Sequence, residues 1–162
     1  MNIRLLKILV VEFLCLMALL YAAQNVVNIE SARAVVGLVL SMEGHEYYPA
    51  HLLPAITSNA LVWACLVLII ALEFLTAFFL AWGAWDMWKA RTADAAVFNA
   101  AKANALKGAL VGMIVWLGLF GAIGGAYFQM WQTEVGAMSL GDALRFGMIY
   151  GVLFVVIHAR DD

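Results

Sequence analysis

Residues 58–88 read SNALVWACLVLIIALEFLTAFFLAWGAWDMW. A hydrocarbon core of about 30 Å needs roughly 20 apolar residues of α-helix to cross it. Residues 60–79 supply that length with one charge, Glu73, near the middle. The stretch closes on Trp82, Trp85 and Trp88, which read as an interfacial aromatic belt. Three further segments repeat the pattern. The sequence therefore predicts an all-α membrane protein, a single domain over residues 1–162 with four spans at about 5–27, 57–88, 107–131 and 143–159.

Composition agrees with that class. Of 162 residues, 66% are hydrophobic and 12% charged, with a mean hydropathy of +0.95, whereas soluble domains carry about a quarter charged residues. The net charge of −2 offers no clustered basic face, so no nucleic-acid partner is expected. The two cysteines, Cys15 and Cys65, lie inside apolar segments. They read as small apolar fillers and exclude a disulfide framework.

The chain begins with Arg4 and Lys7 ahead of an apolar run. A signal peptide starts similarly, but Glu12 interrupts what would be its apolar region, so this run is expected to remain as the first span. Residues 28–57 form the longest polar connection, the outer loop between the first two spans. Within it the apolar patch 34–40 is too short to cross a bilayer and suits a short interfacial or re-entrant helix. The third span carries no charge and is glycine-rich. Gly108/Gly112 and Gly121/Gly125, with Gly147/Gly151 in the fourth span, share the G-x-x-x-G spacing that lets helix backbones approach closely. Trp131 marks the far interface, residues 132–141 read as a turn, and Asp142 is placed to cap the fourth helix.

Lysine and arginine set the expected orientation. Four spans put Arg4, Lys7, Lys89, Arg91, Lys102, Lys107 and Arg160 on one side, leaving Arg33 and Arg145 on the other. Cytoplasmic loops concentrate basic residues, so both termini are expected in the cytoplasm, here beneath a bacterial inner membrane.

Glu73 is the sharpest chemical feature, since a carboxylate at bilayer mid-depth is costly and needs a proton or a donor. It reads either as a packing residue holding helices together or as a proton-accepting or ligand-facing group. Glu12 lies one turn beyond Lys7 and is expected to pair with it or to snorkel. Arg145 is expected to snorkel or to pair with Asp142 or Glu134. Glu43, His45, Glu46 and His51 cluster in the outer loop and include residue types that bind Zn²⁺, though their spacing fits no established zinc pattern. Apart from the helix-end His158 the spans offer no histidine to a haem, and no cofactor is expected. No nucleophile–base motif and no phosphate-binding glycine loop occurs, so nothing argues for an enzyme.

Several stretches carry a family resemblance: VLSME (39–43), AITS (55–58), LIIALE (68–73), GAWDMWKAR (83–91), VFNAAKA (97–103) and GGAYFQMWQT (124–133). Taken in order, they resemble the bacterial predicted small integral membrane proteins of domain-of-unknown-function family 2165. The resemblance implies a four-helix membrane fold and leaves activity open. Ala126 and the histidines of GHEYYPAH (44–51) depart from the family pattern.

Size, small-residue helix faces and the absence of a site favour an accessory or structural subunit of a larger membrane complex, respiratory or photosynthetic. Its partners would be the lipid bilayer and other membrane subunits, or further copies of itself. One alternative is a small transporter or proton-coupled channel using Glu73. The other is a metal-binding membrane protein using the outer loop.

Overall fold

The computed structural model describes residues 3–52 and 54–162. Six helices account for most of them: α1 Ile3–Val27, α2 Ile29–Ser41, α3 Asn59–Lys89, α4 Ala95–Ala101, α5 Ala103–Met113 and α6 Glu134–His158. A wide helical segment, Ile114–Tyr127, continues α5 with i→i+5 hydrogen bonding, and a single tight turn, Met130–Gln132, follows it. No strand occurs among the described residues. Four helical stretches are long and apolar enough to cross a membrane: Ile3–Val27, Asn59–Lys89, Ala95–Tyr127 and Glu134–His158.

Each span buries one face against its neighbours and leaves most of its remaining surface apolar and exposed, as lipid contact requires. On α1 the buried face runs Ile8, Val11, Leu14, Cys15, Ala18, Ala22, spaced three and four apart. Neighbouring spans are antiparallel, as their contacts register. The Cys15 thiol of α1 donates to the carbonyl of Ala77 in α3 (3.2 Å), and the Tyr150 hydroxyl of α6 donates to that of Leu14 in α1 (3.1 Å). Up-down packing brings both chain ends to the same end of the bundle, where Arg4 donates to the backbone of Asp162 at 3.0 Å.

Glycine sets the closest approaches. A Cβ on Gly108 would meet Leu80 at 2.7 Å, one on Gly112 the Tyr150 ring at 2.8 Å, and one on Gly125 Leu140 at 3.1 Å. Gly147 likewise accommodates the Leu117 side chain. Gly121 and Gly151, expected to do the same, have no neighbour nearer than 3.7 and 4.0 Å and mediate no close approach. Gly83, not singled out from sequence, lies directly against the backbone of Ala105.

Other boundaries differ from expectation for local reasons. The first half of the outer loop is helix α2, nearly continuous with α1, because Asn28 accepts from the Ala32 N–H (2.9 Å) while donating its own to Gln24 (3.0 Å). The third span begins at Ala95, capped by the Asp94 side chain, which accepts from the Val97 N–H at 2.9 Å. The last span begins at Glu134, nine residues before the expected 143, because the Thr133 hydroxyl caps it by accepting from the Gly136 N–H at 3.2 Å. Asp142 is therefore inside the helix, where it pairs with Arg145 at 2.7 Å. Trp82, Trp85, Trp88 and Trp131 are all exposed, between 39% and 59%.

Lys7 does not turn to Glu12. It crosses to the chain end and pairs with Asp161 at 2.7 Å, and Lys102, at the joint between α4 and α5, reaches the same carboxylate oxygen. Asn99 completes the knot. Its side chain donates to the Asp161 carbonyl (2.9 Å) and accepts from the Asp161 N–H (3.1 Å). Burial alone would raise the Asp161 carboxyl, but hydrogen bonds from Lys102 and Lys7 outweigh it and hold the group below its ordinary value.

Candidate functional site

Glu73 occupies the middle of α3, about 21 Å along the axis from Asn59 at 1.5 Å per residue. It is 1% exposed. Its Oε2 accepts from the Asn25 Nδ2 at 3.0 Å, and its Oε1 is buried with no partner. A buried acceptor left unmatched costs about 1–3 kcal/mol, more for a charged group. The chain tolerates that cost beside a cavity rather than inside solid packing.

The cavity measures about 420 Å³ and is walled by five elements. α1 contributes Tyr21, Gln24 and Asn25; Asn28 and Ser31 follow at the start of α2; α3 contributes Leu66, Ile69 and Glu73. The wide segment contributes Trp116 and Phe120, and α6 contributes Ser139, Asp142 and Phe146. Gln24, Asn28, Ser31 and Asp142 are exposed and form a polar mouth, while Glu73 is buried in the wall. Trp116 packs edge-on to Phe146 at 5.1 Å and to Tyr21 at 5.8 Å, and Phe120 lies 5.4 Å from Trp116. No lysine, arginine or histidine lines the cavity among the described residues.

A second cavity of about 490 Å³ adjoins it and is almost wholly apolar. The two share Val35, Val36, Ile69, Phe120 and Ser139 as a common wall. The wide segment faces both. Helices of this kind are rare beyond a single turn and recur at functional sites.

The remaining candidates are placed apart from this site. Glu12 is exposed on α1. In the loop after α2, His45 and His51 lie 5.5 Å apart between ring centroids. Glu43 and Glu46 do not complete a set, since no three of His, Cys, Asp and Glu converge on a metal position among the described residues. Burial and the neighbouring His51 both hold His45 below its ordinary value, so it is neutral at pH 7.

Gln132 reads from the sequence only as the start of the turn 132–141, with no role of its own. Its Oε1 accepts from the backbone N–H groups of Tyr47 (3.0 Å) and Tyr48 (2.8 Å), pinning the loop to the turn before α6. No signal in the sequence marks that role, because Tyr47 and Tyr48 lie 85 and 84 positions away.

No curated protein and no solved structure matches the chain. A family described as predicted small integral membrane proteins matches over residues 3–160. With four helices long and apolar enough to cross a membrane among the described residues, and that match over residues 3–160, the chain belongs to the predicted small integral membrane proteins of domain-of-unknown-function family 2165.

Proposed function

We propose that this chain is a small proton-linked transporter in which Glu73 takes up and releases a proton or ligand within the bilayer. One observation carries the reading: a carboxylate 1% exposed, with one oxygen partnerless, in the wall of a cavity that opens through polar side chains. The basic residues, seven against two, support cytoplasmic termini and a bacterial inner membrane. The cavity, at the α1–α2 joint, then faces the outer half of the bilayer.

The test is proton entry into phosphatidylcholine–phosphatidylglycerol vesicles holding a pH dye, driven by a potassium diffusion potential. Wild-type vesicles are expected to acidify faster than empty ones. Glu73→Gln should return the rate to that of empty vesicles while the protein elutes unchanged from gel filtration. Wild-type vesicles as tight as empty ones would overturn the reading.

The accessory-subunit reading loses one support, since Gly108, Gly112, Gly125 and Gly147 pack within the bundle. It gains another: Glu12, an exposed carboxylate on a membrane-spanning helix, which a cationic group of a partner would satisfy. Under that reading Glu12→Leu releases a co-purifying subunit; no such subunit in the wild type would remove it.

A further inference from the structure

We infer that the Glu73 cavity binds a protonated amine carrying a single apolar tail. The inference rests on the reading of Glu73 as a ligand-accepting group and names the class of ligand.

Three features of the paired cavities argue for that chemistry. The polar lobe holds two carboxylates, Glu73 and Asp142, and no basic side chain. Asp142 is matched by Arg145, whereas Glu73 has only the neutral Asn25. Among the groups facing Glu73, Tyr21 on α1 and Tyr150 on α6 are phenols and Asp142 is acidic, so no described residue there supplies a positive charge. A cation entering the lobe passes one positive group, the Arg145 guanidinium, which is already matched by Asp142 at the mouth, and meets none in the lining.

The second feature is the partnerless Oε1, which calls for an N–H or O–H donor. A quaternary ammonium offers none. A primary ammonium offers three, and reaches the carboxylate once Glu73 turns from the wall into the lobe. The wall includes the aromatic rings of Tyr21, Trp116 and Phe146, a residue class whose ring faces attract a cation.

The third is the apolar lobe beyond the common wall, lined by Val39, Leu68, Leu119, Ile123 and Phe128. It has room for a tail, and its two hydroxyls, Ser139 and Tyr127, already donate to the Val135 and Pro54 carbonyls. Glu73 holds one positive charge at a time: an arriving proton makes the neutral acid and frees the ammonium, which departs with its own proton.

The experiment measures tritiated decylamine binding to the whole protein in phosphatidylcholine–phosphatidylglycerol nanodiscs. Saturable binding is expected, weakening on acidification as a proton competes for Glu73. Glu73→Gln should weaken it about tenfold or more, the scale of one charge-assisted hydrogen bond. Decyltrimethylammonium, decanol and decanoate should compete poorly. Cys65→Phe, which fills the apolar lobe from α3, should lower affinity for decylamine and leave propylamine unaffected.

Absence of saturable binding, or equal competition by decanol, overturns the inference. Adding lysophosphatidylethanolamine, a lipid with an ammonium headgroup and one tail, separates two sources of the same chemistry. If it displaces decylamine, the ligand is a lipid headgroup; if it does not, the ligand is a free amine. Binding without proton flux keeps this inference and removes the transport reading, and flux without amine binding does the reverse.

Discussion

Asn25 and Glu73, 48 positions apart, join α1 to α3 through one hydrogen bond of 3.0 Å, from the Asn25 amide to Oε2 of the carboxylate. It is the single polar tie Glu73 has among the described residues, because Oε1 is partnerless. Removing one partner of a buried pair leaves the other stranded, whereas removing both with apolar groups is nearly neutral. Asn25→Leu is therefore expected to destabilise the protein by about 1–3 kcal/mol. Asn25→Leu with Glu73→Leu should recover most of that loss. Unfolding in detergent, read as a double-mutant cycle, checks both values.

The knot at the chain ends behaves differently, because three charges share one place. Asp161→Asn leaves the Lys7 and Lys102 ammonium groups facing each other with no counter-charge. Removing one partner of a buried ion pair costs about 3–5 kcal/mol, and a comparable loss is expected in detergent unfolding. Lys7→Met should cost less, since Lys102 still balances Asp161.

The same carboxylate gives a pH dependence with a definite sign. Its value in the folded protein lies below its ordinary 3.8. It therefore stabilises the fold fully above about pH 4, and that contribution fades as pH falls through the folded value. The gap in Tm between wild type and Asp161→Asn should stay constant from pH 7 to about pH 5 and narrow below pH 4. A gap that widened in acid would contradict the pairing.

The four spans were legible because lipid demands about 20 apolar residues in each and the chain supplies them. Glu73 was legible for the same reason, as the lone charge in such a run. Its cavity was not, since Trp116, Asp142 and Asn25 come from three other stretches that only packing brings together. The knot stayed hidden for a related reason. Lys7 has Glu12 close by in sequence, yet its partner is 154 positions away, because antiparallel packing brings the chain ends together. Glycine spacing named real contacts at Gly108 and Gly112 but could not separate them from Gly121 and Gly151, which share the pattern yet leave their neighbours at ordinary van der Waals distance.

That distinction is testable by adding one methyl group at a time. At Gly112 a Cβ lands 2.8 Å from the Tyr150 ring, and Tyr150 is itself held by its hydrogen bond to Leu14. Gly112→Ala should cost about 1–3 kcal/mol, the range for overpacking. At Gly83 the obstacle is the Ala105 backbone, which cannot rotate aside, so Gly83→Ala should cost at least as much. Gly151→Ala meets nothing nearer than 4.0 Å and should leave stability unchanged or raise it slightly through better helix propensity. The ordering of the three variants in detergent unfolding decides the matter. If Gly151→Ala were as damaging as Gly112→Ala, α6 would have to pack on its neighbours through a different face.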